Sequence, residues 1–313
     1  MIVRRRLGVL LLVAVGGAAL TGCGAAGASA DGEPTVVASF YPLAFVAQRV
    51  GGADIRVENL TPPGVESHDL ELTARQVGEI ASADLVVYEE GFQPSVDEAV
   101  EQNASGAVLE VTQVVPLERH GEHHDEASEE HDESHDHGDV TGDPHIWLDP
   151  TRLAAITQAV AESLAEVAPE HADRFHEGAD ALVAELTALD EDFRAGLADC
   201  ERTTVVTSHD AFGYLADRYG LEMVGISGIE PDAEPSPARL KEIQRVIEHT
   251  GVTTVFYERL VGPDVAQTLA GDLGVSTAVL DPVEGLTKDT EGEDYLTLMR
   301  ANLTALEEAN GCT

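Results

Sequence analysis

Short apolar segments alternate with amphipathic helical segments along both halves of this 313-residue chain. In the first half, the predicted elements occupy residues 35–40 (strand), 42–50 (helix), 55–60 (strand), 73–82 (helix), 84–88 (strand), 94–102 (helix) and 107–109 with 114–115 (strand). In the second half, they occupy residues 203–207 (strand), 211–219 (helix), 222–226 (strand), 236–249 (helix), 253–257 (strand), 263–273 (helix), 276–280 (strand) and 295–309 (helix). Strands that alternate with helices of this length are typical of parallel, wound sheets, so we predict an α/β fold with two Rossmann-like halves.

A long helical pattern separates the two halves. It begins after Pro169 and should end near Ala198, which corresponds to roughly 45 Å at 1.5 Å per residue. Its apolar positions step by four and three, and so form one stripe of the helix: Phe175, Ala179, Leu182, Leu186, Leu189, Phe193 and Leu197. We interpret this segment as one long rigid helix that joins the halves. A coiled-coil or dimer helix is the alternative, although about three heptads is a short run for it.

The first 22 residues form a predicted targeting segment. Arginines at positions 4–6 precede an apolar stretch at 7–20 that is too short and too rich in Gly and Ala for a comfortable membrane span. The stretch ends in Leu20-Thr21-Gly22-Cys23, which resembles the lipobox of bacterial lipoproteins. This resemblance implies that Cys23 is lipidated and anchors the protein to the extracytoplasmic face of the cell membrane. An ordinary secretory signal followed by a chance cysteine is the alternative.

These patterns divide the chain into five predicted segments. In chain order they are a signal peptide (1–22), a flexible tether (23–34), an N-terminal α/β lobe (35–168), the linking helix (169–199) and a C-terminal α/β lobe (200–313). Apolar residues make up 43% of the chain but aromatic residues only 4%, so the core must be built mainly from Val, Leu, Ile and Ala.

The chain is strongly acidic, with a formal net charge of −40. This charge makes nucleic acids and anionic lipid surfaces poor partners, and it favours cations near the surface. Solubility, or a salt-tolerant or high-GC organism, is a simpler explanation for much of the acid outside residues 118–139.

Two cysteines besides Cys23 occur in the chain, Cys200 and Cys312. A disulfide is allowed outside the cytosol, and it would close a loop of about 110 residues, worth on the order of 4–5 kcal/mol in the chain-entropy model. Thiol metal ligands are the alternative. It is disfavoured because Cys312 is one residue from the end of the sequence and neither cysteine has a neighbour at ligand spacing.

A tract rich in histidine and acid precedes the only tryptophan of the chain. Residues 118–139 hold six histidines and ten acidic residues, with no aliphatic residue beyond Ala127. The tract cannot bury a core, so we predict a mobile loop at 118–141. Its neutral histidines can bind zinc weakly, which predicts an auxiliary capture role for His120, His123, His124, His131, His135 and His137. A solvated acidic linker with incidental histidines is the alternative.

Four isolated polar residues fall where a metal site is expected. His209 and Asp281 directly follow predicted strands, His68 follows another through a turn, and His145 lies two residues before Trp147. Ligands of open α/β sheets gather beyond the carboxyl ends of the strands. Three imidazoles and one carboxylate suit tetrahedral Zn²⁺. Taken singly, each residue is equally well explained as a hydrogen-bonded turn or core residue, and Asp281 as a turn starter.

Four motifs give this chain a specific family resemblance. They are Ser67-His68-Asp69-Leu70-Glu71-Leu72-Thr73, Asp143-Pro144-His145-Ile146-Trp147-Leu148-Asp149-Pro150, Ser208-His209-Asp210-Ala211-Phe212-Gly213-Tyr214-Leu215 and Leu280-Asp281-Pro282. The chain resembles the metal-binding solute receptors of ABC importers, in the zinc/manganese family of lipoproteins. The resemblance implies two α/β lobes joined by one long rigid helix, with the metal in the interlobe cleft.

The same resemblance implies the ligands and the partners. The metal ligands would be His68, His145, His209 and Asp281. The receptor would act as a monomer with an ABC permease and its ATPase. Manganese members tend to place a carboxylate where this chain has His209, and nitrogen donors favour zinc, so Zn²⁺ is the expected cargo. Glu66 departs from the family pattern, which favours proline and small residues there.

Other functions remain open from the sequence. A manganese receptor of the same family is the nearest alternative. A secreted zinc hydrolase would need an open coordination position, and the chain has no His-Glu-x-x-His motif. An adhesin or extracellular metal buffer without a transporter is a third class. The imidazoles should be oriented by neighbouring polar groups, and the acidic candidates are Asp69, Asp149, Asp210 and Glu258.

Overall fold

The structure is a computed structural model that describes residues 32–120 and 142–313. The described residues from Glu33 onward form one compact unit. The predicted signal peptide, Cys23 and five of the six tract histidines lie outside the described residues. No helix within these ranges is both long and apolar enough to cross a membrane.

The N-terminal sheet is parallel, with strand order β2-β1-β3-β4. Its strands are β1 (Thr35–Ala38), β2 (Arg56–Asn59), β3 (Leu85–Tyr88) and β4 (Ala107–Glu110). The helices between them are α1 (Tyr41–Gly51), α2 (Ala74–Ser82) and α3 (Pro94–Asn103). Thr73 begins α2 through a capping box with Gln76, so the predicted helix starts one residue later than the pattern implied.

The C-terminal sheet repeats this topology, with order β6-β5-β7-β8. Its strands are β5 (Thr204–Thr207), β6 (Glu222–Gly225), β7 (Thr254–Tyr257) and β8 (Ser276–Val279). The helices are α6 (Gly213–Tyr219), α7 (Pro237–Thr250), α8 (Asp264–Leu273) and α9 (Tyr295–Asn310). The predicted α/β class and both parallel sheets are therefore confirmed, with strands shorter than the predicted runs.

The connection between the sheets contains a helix that the pattern analysis did not assign. Helix α4 (Pro150–Val167) is followed by the short 3₁₀ turn Pro169–His171 and then by α5 (Ala172–Gly196). Asp149 caps the start of α4 by accepting a hydrogen bond from the Thr151 amide, 2.8 Å away. Helix α5 has 25 residues, or roughly 37 Å, so it is shorter than predicted.

The predicted apolar stripe of α5 is fully buried, and it joins the two sheets into one core. Phe175, Leu186 and Phe193 have no exposed surface. They belong to one cluster with residues of the first sheet, such as Val36, and of the second, such as Val205. A helix buried against both halves is a stiff connector, because bending it would open this core. The boundaries predicted for the five segments stay a prediction.

Cys200 and Cys312 form a disulfide. It ties the segment after α5 to the segment after α9, beside a backbone hydrogen bond from Arg202 to Asn310. Since both sulfur atoms are used in this bond, neither is a metal ligand.

Candidate metal centre

Three histidines from distant parts of the chain meet in one buried group with Glu284. His145 and His209 have no exposed surface, and His68 is 7% exposed. The Nε2 atoms of His145 and His209 are 3.3 Å apart. Glu284 Oε1 lies 3.7 Å from His68 Nε2, 3.5 Å from His145 Nε2 and 3.7 Å from His209 Nε2.

This spacing matches a single tetrahedral ion. Ligand atoms at 2.0–2.1 Å from a tetrahedral Zn²⁺ are about 3.3 Å apart, close to the separations found here. His68 Nε2 and Glu284 Oε1 are also buried without a hydrogen-bond partner among the described residues. A buried polar atom without a partner is costly, and a shared cation would compensate both atoms.

The local folds that carry the ligands are tied to one another. His68 follows β2 and His209 follows β5 at the carboxyl ends of their sheets. The Trp147 indole N–H donates to the carbonyl of Pro282 over 2.7 Å, so the His145 segment is fixed to the turn that carries Glu284. The Ser67 hydroxyl donates to the carbonyl of Glu284 from the other side, over 3.3 Å.

Two carboxylates orient the imidazoles. Asp143 Oδ1 lies 2.7 Å from His145 Nδ1 and also accepts the His145 backbone N–H. Glu258 Oε1 lies 2.6 Å from His209 Nδ1. Each carboxylate favours the tautomer with the proton on Nδ1, which leaves Nε2 free to bind a metal.

Glu258 is among the candidates predicted from the sequence to orient an imidazole, whereas Asp143 is not. The signal was present, because Asp143 stands two residues before a ligand in the Asp-Pro-His motif. Asp149 instead caps α4, and Asp210 accepts the amide N–H of Gly225 over 2.7 Å. Within the described residues no hydrogen bond joins the Asp69 side chain to an imidazole, and the Asp69 amide N–H donates to Glu66 over 3.3 Å.

Asp281 lies outside the group, which differs from the predicted ligand set. Its Oδ2 pairs with Arg259 Nε at 3.1 Å, and its Oδ1 accepts the amide N–H of Val283 at 2.8 Å. Asn302 of α9 bonds to both the amide and the carbonyl of Asp281. Asp281 therefore fastens the end of β8, and Glu284 is the fourth member of the group.

The turn that delivers Glu284 is conformationally unusual. Val283 has φ of 58°, a left-handed conformation that a β-branched residue rarely adopts. Strain of this kind persists where the surrounding structure imposes it, and it is concentrated at functional sites. Here it turns the chain after β8 so that the Glu284 carboxylate faces the three imidazoles.

The buried charges are strongly coupled. Burial alone would raise the pKa of Glu284, but the nearby imidazoles of His145 and His68 outweigh it and hold that pKa well below its usual range. Burial alone would lower the pKa of His145, but the carboxylates of Asp143 and Glu284 raise it to about 10. The raised pKa of His145 and the lowered pKa of Glu284 favour opposite charges on these two side chains, which are 3.5 Å apart.

Glu66 lies beside Glu284. Burial, together with the charge of Glu284, raises the pKa of Glu66 to about 8. Glu66 is therefore mostly neutral at pH 7, and its proton allows two carboxyl groups to share the edge of the site.

Removing an orienting carboxylate should weaken metal binding. We expect Glu258→Gln to lower zinc affinity about tenfold to a hundredfold, because His209 loses the charge that makes it a strong donor. Competition with a chromophoric chelator measures this change. Glu248→Gln, at an exposed position of α7, is the matched control. Equal affinities for the two variants would show that Glu258 has no orienting role.

Of the tract histidines, His120 alone lies within the described residues. It is not part of the four-residue group, and it contacts Asp217 and Asp143 instead. The predicted capture role of His123, His124, His131, His135 and His137 falls outside the described residues.

The chain is similar to proteins named for zinc binding and zinc uptake. The chain is 34% identical over 288 residues to "Zinc-binding protein AdcA" of Streptococcus pyogenes serotype M3, covering 88% of this chain and 56% of that protein. It is 33% identical over 280 residues to "High-affinity zinc uptake system protein ZnuA" of Bacillus subtilis, covering 88% of this chain and 86% of that one. The chain thus spans little more than half the length of the streptococcal relative.

A solved structure shares the whole fold. The Zn(II)-bound ZnuA-like domain of Streptococcus pneumoniae AdcA superposes with a TM-score of 0.74 at 32% identity, covering 89% of this chain and 99% of that one. The model of the family "Zinc-uptake complex component A periplasmic" matches residues 36–309. This chain therefore belongs to the ZnuA family of zinc-uptake components.

Proposed function

We propose that this protein is an extracytoplasmic receptor that captures Zn²⁺ and delivers it to an ABC-type permease and its ATPase for import. The observation that carries the proposal is the buried group of His68, His145, His209 and Glu284, with ligand atoms spaced for one tetrahedral ion. The names of relatives, which describe zinc binding and high-affinity zinc uptake, support it.

The donor set favours zinc over manganese. Three imidazole nitrogens and one carboxylate suit Zn²⁺, whereas Mn²⁺ prefers oxygen donors. Because the imidazoles are neutral and the carboxylate carries one negative charge, the net charge of the ion with its four ligands would be +1. His and Asp or Glu ligands also suit a cargo that must be released, in contrast to the all-cysteine sets of permanent structural sites.

The same geometry argues against a hydrolase. A catalytic zinc site keeps three protein ligands and an open position for water. Here four buried side chains converge, so an ion bound among them would have no open position for water. We therefore propose that the protein binds and releases its cargo without catalysing a reaction.

The location of the receptor is part of the proposal. The lipobox-like sequence at residues 20–23 supports a lipid anchor on Cys23, at the outer face of the cell membrane. The disulfide between Cys200 and Cys312 supports an oxidising compartment. We propose that the anchored protein acts as a monomer.

Zinc competition and uptake together test this function. The purified protein should bind one tight Zn²⁺ at the buried group and should prefer Zn²⁺ over Mn²⁺ in a competition titration. Cells that lack the receptor should lose zinc uptake at low external zinc and regain it with the intact chain. Preference for Mn²⁺ would reverse the choice of cargo, and unchanged uptake would contradict the transport role.

Zinc affinity should fall as the pH is lowered. The pKa of His145 is raised to about 10, so below that pH a proton on Nε2 competes with Zn²⁺ for the same atom. Metal binding must displace this proton, so for a one-proton exchange affinity should drop about tenfold per pH unit. Chelator competition between about pH 6 and about pH 9, with calorimetry in buffers of different ionisation enthalpy, measures the slope and the protons released. A flat profile would contradict the proton exchange.

A further inference from the structure

One of the three imidazoles in the buried group lacks the support that the other two receive. Asp143 lies 2.7 Å from His145 Nδ1, and Glu258 lies 2.6 Å from His209 Nδ1. Within the described residues, no carboxylate is equally close to His68 Nδ1. An imidazole that binds a metal through one nitrogen is normally oriented by a hydrogen bond from the other, so a partner for His68 Nδ1 is expected.

Glu230 is the carboxylate closest to this role. Its Oε2 atom lies 3.9 Å from His68 Nδ1, beyond hydrogen-bond distance. The Glu230 side chain is 70% exposed and therefore free to move, whereas that of His68 is 4% exposed and packs edge-on against Phe92, with ring centroids 4.6 Å apart. A shift of about 1 Å would bring Oε2 to about 2.9 Å from Nδ1, the usual length of an N–H···O bond.

The surroundings of His68 leave this edge of the ring open. Its Nε2 atom faces Glu284 Oε1 at 3.7 Å, inside the buried group. A cavity of about 520 Å³, lined by both His68 and Glu230, lies beside the ring. His145 and His209 have no exposed surface, so His68 is the imidazole of the group that water can reach. A carboxylate that covers this edge would displace water from it.

The loop that carries Glu230 is fixed beside another member of the group. This loop joins β6 to α7 in the second half of the chain. The amide N–H of Ser227 donates to the carbonyl of the residue before His209 over 2.8 Å, and the residue after His209 donates its amide N–H to the carbonyl of Gly228 over 3.0 Å. The loop therefore extends from the His209 segment to His68, which follows β2 of the first sheet.

A hydrogen bond between His68 Nδ1 and Glu230 would join the two halves of the protein across the ion. It would keep the proton on Nδ1 and leave Nε2 free to bind the metal, as Asp143 and Glu258 do for the other imidazoles. Because Glu230 is exposed, water competes for the same carboxylate, and the bond should be weaker than the two buried ones.

We propose that Glu230 is the positioning residue for His68, and that its carboxylate accepts the Nδ1–H of His68 across the cleft while the ion is bound. This inference rests on the proposed function, since it takes Zn²⁺ as the ion that His68 binds. The bond forms only after both halves have met around the ion, so it slows the release of Zn²⁺ more than it speeds capture.

The rate of zinc release tests this role. The zinc-loaded full chain is mixed with excess chelator in a stopped-flow instrument. Glu230→Ala should release Zn²⁺ about tenfold faster, at the lower end of the range for orienting groups because the residue is exposed. Glu234→Ala removes the same charge from an exposed position of the same loop and should release Zn²⁺ at the rate of the unmodified chain. Equal rates for the two variants would overturn the role of Glu230.

A double-mutant cycle shows whether Glu230 acts through His68. His68→Ala removes the imidazole that Glu230 should orient, so Glu230→Ala should not speed release further in that background. A general effect of the loop on the site would persist there. Acceleration by Glu230→Ala in both backgrounds would therefore contradict the proposal.

Failure of this inference can be distinguished from failure of the proposed function. If the unmodified chain binds Zn²⁺ tightly and Glu230→Ala releases it at the same rate, the role of Glu230 fails and the proposed function stands. If the unmodified chain does not bind Zn²⁺ tightly, the proposed function fails and the role of Glu230 fails with it.

Discussion

Replacing His145 with alanine should weaken zinc binding by about two to three orders of magnitude. Structural zinc sites contribute roughly 10–16 kcal/mol from four ligands, so one ligand accounts for about 2.5–4 kcal/mol, or about 10²–10³ in affinity. His145 has no exposed surface and lies within 3.5 Å of the ligand atoms of both His209 and Glu284. No other residue of the described group can replace its nitrogen.

The measurement is a chelator competition on the purified variant, with thermal unfolding as a check on the fold. His249→Ala, which removes an exposed imidazole from α7, should bind zinc as the unmodified chain does. Zinc should also raise the melting temperature of the unmodified chain, because it binds the folded state, and this rise should be lost in His145→Ala. Affinity within threefold of the unmodified chain would remove His145 from the site.

The fold could be predicted where one local pattern is decisive. The apolar stripe of α5 could be predicted because its spacing has only one helical interpretation, and strands such as β1 and β5 are short β-branched runs. Helix α4 was not assigned. Its apolar positions, among them Leu153, Ile156 and Val160, are buried under α5, and they lie among alanines that blur the contrast between its faces.

The candidate site could be predicted only in part, for a similar reason. His68 follows a strand of the first sheet and His209 a strand of the second, and ligands of open α/β sheets gather beyond the carboxyl ends of the strands. The fourth position depends on the path of the chain after β8. Asp281 lies at the strand end, as this rule predicts. Its carboxylate, however, pairs with Arg259, and its backbone N–H donates to Asn302. The left-handed turn at Val283, which no propensity predicts, then brings Glu284 into the group instead.

Substitutions of Glu284 and Asp281 should therefore have different effects on zinc affinity. Glu284→Gln should lower zinc affinity by about a hundredfold, because the site loses its only anionic ligand while keeping a side chain of the same size. Asp281→Asn should change affinity by less than about threefold, since its carboxylate faces Arg259 and its effect falls on the turn and on stability. The paired substitutions are isosteric, so a difference between them reports charge and position instead of volume.

Proton release gives an independent readout for the same pair. The carboxylate of Asp143, together with that of Glu284 3.5 Å from His145 Nε2, raises the pKa of His145 to about 10. Without the Glu284 carboxylate the pKa of His145 should fall, so Glu284→Gln should release fewer protons on binding Zn²⁺ near neutral pH, and its affinity should depend less steeply on pH. Asp281→Asn should keep the slope of the unmodified chain. If Asp281→Asn were the variant that lost affinity and pH dependence, Asp281 would be the fourth ligand, and the turn at Val283 would need another explanation.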